Sequence, residues 1–437
     1  MSFSIEEFSA RRDQLLASMV EGVAIVPTAA EMVRNRDSHF PYRFDSYFYY
    51  LTGFKEPEAV LVLIAGESPK SILFCRKKDM EREIWDGFRY GPDAAKETFG
   101  FDEAYTFNQL GEVMPKLLSN QAQLFYSLGA DAAWDVKVTK WLNLVKDLAR
   151  TGVSAPEAVR DVRQLVDQQR LIKTPFEIDL MRRSADIAAV AHNRAMQKTA
   201  PGKMENEIEA EFLHEFYLKG AQAPAYTSIV AGGANACTLH YNANNTKLND
   251  GDLLLIDAGC ELDGYASDIT RTFPVSGKFS GPQKDLYETV LASQLAAIEV
   301  ATPNHYWNSP HEAALDVLVQ GFIDIGLCKG TKEQVLESGD YRQFYMHRTG
   351  HWLGLDVHDV GDYKNKKGDW AALEAGHVLT VEPGCYVRPA DNVPEAFWNI
   401  GIRIEDDVLI TAQGNEVLSK GAIKTVADIE AQMAGSK

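Results

Sequence analysis

A ten-residue pattern occurs twice in this chain, at a constant offset of 125 residues. Residues 251–260 read GDLLLIDAGC and residues 376–385 read GHVLTVEPGC, so six positions agree in residue type. Each copy is predicted to form an apolar strand that ends by presenting a carboxylate, Asp257 or Glu382, beside a glycine. Two buried strands can agree by coincidence, because glycine and leucine are common residues. The interpretation that we favour is two structurally equivalent halves, whose strands each bring an acid to one shared cleft.

A hairpin is predicted to place a second acid beside Asp257. Asp263-Gly264 is a strong turn signal between two strand-like runs. Folding the chain about this turn puts Asp268 opposite Asp257 or one diagonal step away, and the two side chains share a face because strand side chains alternate. A solvated hairpin with surface acids is the alternative, but the neighbouring apolar residues indicate burial. Two buried acids so close together repel, so one of them needs a proton or a cation.

The second half repeats this arrangement. Glu382 follows one apolar strand, and Glu405 lies in the strand-like run IGIRIEDDVLI at residues 400–410. Alternation places Arg403 and Glu405 on one face of that run, with isoleucines on the other. A salt-bridged edge strand is the alternative explanation for the polar residues.

Three histidines lie between the two acidic segments. His347, His351 and His358 fall within the run HRTGHWLGLDVH, out of ten histidines in the whole chain. The run differs from the zinc-protease motif HExxH, because no glutamate follows His347 and Gly350 interrupts the helix that the motif requires. A lone histidine is usually a core or surface residue, whereas three in a glycine-punctuated loop indicate a site. His240 is a fourth candidate.

Four carboxylates and one imidazole suit a pair of divalent cations better than a single ion. Ligands that are mostly oxygen, with one nitrogen, favour manganese, cobalt or zinc over copper. Cys260 and Cys385 follow the two acid-bearing strands, and we predict that both are small core residues rather than ligands.

The chain is predicted to form two domains of α/β (α+β) class. Its 437 residues are too many for one ordinary domain. The first third alternates apolar strand-like runs with helical patterns. The predicted strands are 59–65 and 71–75, and the predicted helices are 111–118 and 132–148.

A helix start lies at the proposed domain boundary. Thr174, Pro175 and Glu177 form a capping box with proline at the first helical position, and the helix should end near Thr199. Residues 150–170 are polar and lack strong periodicity. We therefore place the boundary near residue 172, which gives a first domain at 1–172 and a second at 173–437.

Two further helices are predicted in the second domain. One covers residues 205–219, carries an apolar stripe and ends at Gly220. The other begins at Ser309-Pro310, where Ser309 and Glu312 match a capping box, and ends near Gly326.

The charge of the chain argues against nucleic acid as a partner. It carries 62 acidic and 44 basic residues, a formal net charge of −18, and would repel a phosphate backbone. The densest basic runs, at 76–78 and 364–367, are short and flanked by acids. We interpret them as solvated surface.

No membrane or secretory segment is expected from the sequence. The longest apolar runs are far shorter than the roughly 20 residues of a membrane span, and the first residues lack a basic and apolar leader. Five scattered cysteines without a CxxC pair argue against a disulfide framework and against a structural zinc site. These features predict a cytoplasmic protein that does not bind membranes.

Taken together, these motifs resemble those of aminopeptidase P, the Xaa-Pro aminopeptidases of the pita-bread metallopeptidase superfamily. The matches are DxG at Asp257, DxTRTFPV from Asp268, HxxGHWLGLDVHD, TVEPG and GIRIEDD, together with PYRFDSYFYYLTGF at residues 41–54. The resemblance covers nearly the full chain. It implies a smaller N-terminal aminopeptidase P-type domain followed by a pseudo-two-fold pita-bread catalytic domain.

The resemblance also implies a set of metal ligands. These are Asp257, Asp268, His351, Glu382 and Glu405, with Asp268 and Glu405 bridging two ions. The ions are usually manganese in bacterial members of the family, with cobalt or zinc as alternatives. A hydroxide bridging the two ions would attack the carbonyl that precedes proline in a short peptide, and would release the N-terminal residue.

Further roles follow from the same resemblance. Glu382 would accept the proton of the attacking water. His358 and His240 would hold the scissile carbonyl and the oxyanion, and His347 would line the proline side. The remaining candidates are Arg403 and Tyr386 beside the ligands, Asp257 near the amino terminus of the substrate, and Asp37 and Trp85 reaching the cleft of a neighbouring subunit in a homodimer or homotetramer.

Three other functions compete with this prediction. Prolidases use the same five ligands but cleave only Xaa-Pro dipeptides. Methionine aminopeptidases share the catalytic half but usually lack so long a first domain. Metal-free relatives, either creatine-hydrolysing enzymes or binding proteins, have lost ligand carboxylates that this chain keeps. One departure concerns Arg348, at a place that is often glycine in relatives, so the preferred peptide length is not fixed by the resemblance.

Overall fold

The structure, a computed structural model, describes residues 5–435 of the chain. The chain divides into two units between Gln169 and Arg170. The domain boundary near residue 172 stays a prediction. Within residues 5–435, no helix combines the length and the apolar character that a bilayer crossing needs.

The first unit is built on a mixed sheet with strand order β6-β5-β4-β1-β7-β8. β4 runs antiparallel to both of its neighbours, whereas β1 with β7, β7 with β8 and β5 with β6 are parallel pairs. The strands are β1 Gly22–Pro27, β2 Val33–Asn35, β3 Ser38–His39, β4 Val60–Ala65, β5 Lys70–Cys75, β6 Glu103–Thr106, β7 Gln123–Phe125 and β8 Ala158–Arg160, with β2 and β3 forming a separate hairpin.

Helices pack around this sheet because its central strands are apolar and buried along nearly their whole length. The strands predicted at 59–65 and 71–75 and the helices predicted at 111–118 and 132–148 are all present, within two residues of the predicted ends. The helices are α1 Ile5–Met19, α2 Ser46–Thr52, α3 Met80–Asp86, α4 Gly91–Phe99, α5 Leu110–Leu118, α6 Ala132–Lys146 and α7 Arg163–Leu171, the last of which spans the point of division.

The second unit contains the two copies of the repeated pattern. Its helices are α8 Pro175–Lys198, α9 Glu205–Leu218, α10 Gly281–Val300, α11 Ser309–Asp324, α12 Lys332–Ser338 and α13 Val426–Ala434. Its strands are β9 Ala223–Pro224, β10 Ile229–Gly232, β11 Leu253–Asp257, β12 Cys260–Leu262, β13 Tyr265–Ala266, β14 Thr270–Pro274, β15 Val378–Val381, β16 Gly384–Val387, β17 Ile400–Arg403, β18 Asp406–Thr411 and β19 Gly414–Val417.

The two copies occupy equivalent positions in this unit. β11 pairs antiparallel with β14, and β15 pairs antiparallel with β18. In each pair, one acid stands where the first strand ends, and a second acid stands just before the other strand begins. The leading glycines, Gly251 and Gly376, have φ of +87° and +98°, a conformation that other residues rarely adopt. The shared backbone geometry favours two equivalent halves over coincidence.

The closing residues of the pattern also have structural reasons. A side chain at Gly259 would collide with the carbonyl oxygen of Ser267, and one at Gly384 would lie 2.8 Å from the carbonyl oxygen of Ile402. Cys260 and Cys385 are fully buried in the same hydrophobic cluster. As predicted, these two thiols are core residues.

Helix α8 begins as predicted. The Thr174 hydroxyl accepts from the backbone N–H of Glu177, Pro175 occupies the first turn, and the helix ends before Thr199. The helix predicted at 205–219 is α9.

The capping box predicted at Ser309 is wrong. Asn308 precedes the first residue of α11 in a helical backbone conformation and makes no side-chain cap. The Ser309 hydroxyl accepts instead from the backbone N–H of Tyr306 at 3.2 Å, and Glu312 accepts from the side-chain amide of Asn308 at 2.6 Å. The matching residue types are therefore used for other contacts.

The structure also contains a helix, α7, where the sequence lacked clear periodicity. Its buried face includes Val166 but also the polar residues Gln169 and Arg170. The helix is amphipathic, but its buried stripe is partly polar, so a hydrophobic pattern does not reveal it.

One buried histidine makes the second unit sensitive to acid. His192 on α8 is fully buried, and its Nε2 donates to the carbonyl oxygen of Ala258 at 3.0 Å. Burial lowers the pKa of His192 from 6.5 to about 3. The unfolded chain therefore binds a proton here below about pH 6.5, whereas the folded chain does not until about pH 3, so the free energy of unfolding falls as the pH drops between these values.

We expect His192 to lower the free energy of unfolding by about 3 kcal/mol between about pH 7 and about pH 4. Urea denaturation of the wild type and of His192→Gln at both pH values measures this contribution, and the variant should lose much less stability on acidification. His214→Gln, which changes an exposed histidine on α9, is the matched control. An equal loss in the wild type and in His192→Gln would exclude this role.

Candidate metal centre

A cleft of about 670 Å³ in the second unit collects side chains from both halves. Its size is typical of sites for small ligands. Ten of the residues that line it carry a carboxylate, an imidazole or a guanidinium group, namely Asp257, Asp268, Glu382, Glu405, His240, His347, His351, His358, Arg348 and Arg403.

The first pair of acids is placed by the register of β11 and β14. Asp257 pairs with Thr270, so Asp268, two residues before Thr270, stands one diagonal step from Asp257. The hydroxyl of Tyr226 lies 2.5 Å from Oδ1 of both carboxylates. One hydroxyl has a single proton to donate, so it cannot donate to both acids at once. A nearby positive charge or a bound proton is therefore needed to stabilise the two carboxylates, Asp257 and Asp268.

Thr270 connects the second pair of acids, Glu382 and Glu405, to the first. Glu382 directly follows β15 and Glu405 directly precedes β18, which pairs with β15. The Thr270 hydroxyl donates to Oε2 of Glu405 at 2.6 Å, and the Glu405 backbone N–H donates to the Thr270 carbonyl at 3.1 Å. The two halves thus meet at the acids themselves.

Arg403 connects Asp257 to the histidine segment. Its Nη2 donates to Oδ2 of Asp257 at 2.6 Å, and its Nη1 donates to the hydroxyl of Tyr386 at 2.9 Å. The Tyr386 hydroxyl lies 2.9 Å from Nε2 of His347. Since Arg403 can only donate, Tyr386 uses its own proton toward His347. These hydrogen bonds fix the orientation of the side chains of Asp257, Arg403, Tyr386 and His347.

The orientation of His351 suits a metal ligand. Its Nδ1 lies 2.9 Å from the carbonyl oxygen of Trp352, which can only accept, so Nδ1 carries a proton. Its Nε2 faces Oδ2 of Asp268 at 3.4 Å and Oε1 of Glu382 at 3.8 Å. One ligand atom each from Asp268, His351 and Glu405 lie within 4.8 Å of one another.

The electrostatics of this cluster show an excess of negative charge. Burial and the neighbouring acids raise the pKa of Asp268 and that of Glu405 above their ordinary values. Burial raises the pKa of Glu382 to about 7. Burial opposes the charge of His351, but Asp268 and Glu382 outweigh it and raise its pKa to about 9. In the lining of the cleft, four acids thus outnumber the cationic groups of Arg403, Arg348 and protonated His351. This oxygen-rich donor set fits divalent cations.

The other predicted histidines border the same cluster. Burial, with Arg403 nearby, lowers the pKa of His347 to about 4, so its ring is neutral. The ring of His358 lies 4.3 Å from that of His351, between centroids, and burial lowers its pKa. His240 is exposed and lines the cleft.

The two remaining predicted residues belong to the first unit. Asp37 is exposed in the turn between β2 and β3, and Trp85 on α3 is 82% exposed. The structure describes a single chain, and their predicted role toward a neighbouring subunit stays a prediction.

Sequence reasoning missed three residues of the site. Tyr226 and Thr270 bind the acids directly, and the carboxylate of Asp407 accepts from the backbone N–H of Asp268 at 3.2 Å. Asp407 ends the acidic run EDD at residues 405–407, and Thr270 stands in DITRTFP, so both motifs contained a signal. Tyr226 lies in a segment without a motif.

Two family descriptions match this chain. Residues 179–412 match "Metallopeptidase family M24", and residues 8–126 match "Aminopeptidase P, N-terminal domain". Among curated relatives, the Xaa-Pro aminopeptidase of Haemophilus influenzae is 45% identical over 427 residues, covering 97% of this chain and 96% of the relative. The Xaa-Pro aminopeptidase of Escherichia coli is 43% identical, covering 99% of both chains.

Solved structures of aminopeptidases are also similar to this chain. Aminopeptidase PepP of Pseudomonas aeruginosa superposes with a TM-score of 0.98 at 46% identity, covering 99% of both chains. A zinc-substituted aminopeptidase P of Escherichia coli, in complex with product, superposes with a TM-score of 0.97 at 43% identity, covering 100% of both chains.

Proposed function

The chain belongs to metallopeptidase family M24 and, within it, to the Xaa-Pro aminopeptidases, and on this basis we propose that it releases the amino-terminal residue from peptides with proline in second position. The predicted α/β fold class, with an aminopeptidase P-type domain before a pita-bread catalytic domain, is confirmed. The observation that carries the proposal is the convergence of four acids and His351, from two equivalent halves, on one cleft.

We propose that Asp257, Asp268, His351, Glu382 and Glu405 hold two divalent cations, with manganese as the first choice and cobalt or zinc as alternatives. The excess of negative charge and the protonated Nδ1 of His351 support this assignment. Cations bound here would polarise the scissile carbonyl and activate water at neutral pH.

We propose that Glu382 accepts the proton of the attacking water. Its side chain is 19% exposed and faces the cleft, so water and substrate can reach it. His358 and His240 border the same space and can donate hydrogen bonds to the scissile carbonyl as negative charge develops on its oxygen.

His347 is suited to line the proline side of the substrate. Its Nδ1 lies 2.7 Å from the carbonyl oxygen of Arg348 and its Nε2 accepts from Tyr386, so both ring nitrogens are engaged. The neutral ring is left to make apolar contact. A proline ring offers such contact and has no N–H that would need a partner.

The activity is tested with two substrates that differ by one residue. We expect Ala-Pro-Ala to be hydrolysed to alanine and Pro-Ala, at a rate well above that for the dipeptide Ala-Pro. Mass spectrometry of the products identifies the bond that is cleaved. Hydrolysis of Ala-Pro alone would instead make the chain a prolidase.

We propose further that the protein is a homodimer or homotetramer in which α3 takes part in contacts between copies. Met80, Ile84 and Trp85 on this helix are 69%, 82% and 82% exposed, which is unusual for apolar residues on a free surface. Light scattering gives the mass in solution, and a monomer would contradict this proposal and the role of Asp37 and Trp85 in a neighbouring cleft.

A cytoplasmic location is proposed from the state of the thiols. All five cysteines are buried and unpaired, as is usual in reducing compartments. Recovery of the protein outside the cytoplasm on cell fractionation would contradict it.

A further inference from the structure

Arg348 introduces positive charge into a cleft that is otherwise rich in acids. It directly follows His347, is exposed, and lines the same cleft as the acid cluster. The Nη2 atom of Arg348 donates to the side-chain oxygen of Asn308. Asn308 is itself held, because its side-chain amide donates to Glu312 at 2.6 Å.

An aromatic ring also supports this guanidinium. Cζ of Arg348 lies 4.9 Å from the ring centroid of Trp370, and Nζ of Lys364 lies 4.1 Å from the same centroid. Stacking on an aromatic ring and one hydrogen bond restrict a side chain that would otherwise have many rotamers, so less entropy is lost when a ligand binds. Lys364 begins the basic run 364–367.

Among residues 5–435, neither of these two cations has an acidic partner. In the part of the chain that the structure describes, no carboxylate forms an ion pair with Arg348 or Lys364. This is notable in a chain with 62 acidic and 44 basic residues. Most donors of the Arg348 guanidinium therefore remain available for a ligand, and a carboxylate is the group that matches them best.

From this geometry we propose that Arg348 is a specificity-determining residue that binds a carboxylate one residue beyond the proline of the substrate. The inference rests on the proposed aminopeptidase function. In a tripeptide, the terminal carboxylate lies two residues beyond the scissile bond, about 7 Å along an extended chain. Arg348 follows His347, the residue assigned to the proline side. The acids would face the positive amino end of a short peptide, and Arg348 its negative end.

Three peptides of equal length test this inference. They are Ala-Pro-Ala with a free carboxylate, Ala-Pro-Ala amide, and Ala-Pro-Asp amide, which carries its carboxylate on the side chain. We expect the wild type to favour the first over the amide in kcat/KM by on the order of tenfold, mainly through KM. Faster cleavage of Ala-Pro-Asp amide than of Ala-Pro-Ala amide would show that a side-chain carboxylate is also bound.

Variants separate a direct charge contact from a structural role. Arg348→Gln should bring the ratio of kcat/KM between the free acid and the amide close to one, and Arg348→Lys should retain part of it. Added salt should lower this ratio in every protein that keeps a cation at position 348, and should leave it unchanged in Arg348→Gln. Arg342→Gln, which removes an exposed arginine outside the cleft, should keep the wild-type ratio. A wild-type ratio near one, or the wild-type ratio in Arg348→Gln, would overturn the inference. Failure to cleave any of the peptides would overturn the proposed function as well.

Discussion

Replacing Asp268 by alanine is expected to reduce kcat/KM for Ala-Pro-Ala by on the order of 10³-fold or more, because charge stabilisation by bound cations contributes several kcal/mol. Asp268 is 5% exposed and stands in the middle of the cluster. One of its oxygens lies 2.5 Å from the Tyr226 hydroxyl, and the other lies 3.4 Å from Nε2 of His351. Its removal would leave His351 and Glu405 without their common neighbour.

The control for this variant is Asp391→Ala, which removes an exposed aspartate of the same unit and should leave kcat/KM unchanged. Loss of folding is distinguished by thermal melting of the metal-free proteins. Because the four acids repel one another, the metal-free Asp268→Ala variant should be at least as stable as the metal-free wild type. Metal analysis should show fewer ions bound to the variant. Near-normal turnover of Asp268→Ala would contradict the assignment of Asp268 as a ligand.

Removing divalent cations is expected to abolish hydrolysis of Ala-Pro-Ala, and adding manganese should restore it. The reason is the charge of the cleft, where four acids outnumber the two arginines in its lining, Arg348 and Arg403. Metal analysis of the active protein should give two ions per chain. Adding cobalt or zinc in separate experiments at equal concentration, and measuring the activity restored, ranks these two alternatives against manganese.

Metal binding should also raise the melting temperature, because a ligand that binds only the folded chain stabilises it by mass action. The Asp391→Ala variant should show the same rise as the wild type, and Asp268→Ala a smaller one. Full activity in protein that contains no divalent ion would contradict the proposed centre. Full activity with one bound ion per chain would contradict the proposal of two ions, but it would leave the proposed position of the metal site intact.

Local sequence signals predicted much of the second unit. The cap at Thr174, the turn at Asp263-Gly264 and the two strands of the repeated pattern are all present. Each of these features depends only on residues that are close together in the sequence. The cap and the turn need backbone conformations that only certain residues adopt, and the strands follow from side-chain alternation. The failed cap at Ser309 shows the limit of such signals, since nearby groups competed for the same side chains.

The sequence by itself determined that Asp257 and Asp268 can meet, because strand alternation and a two-residue turn leave little freedom in the register of a hairpin. Only the tertiary structure decided what surrounds them. Tyr226 reaches Asp268 across 42 positions of the chain, and Arg403 reaches Asp257 across 146. Contacts at such separations depend on how whole elements pack, which no local pattern records. The same holds for Arg348, whose residue type was evident but whose support by Asn308 and Trp370 was not.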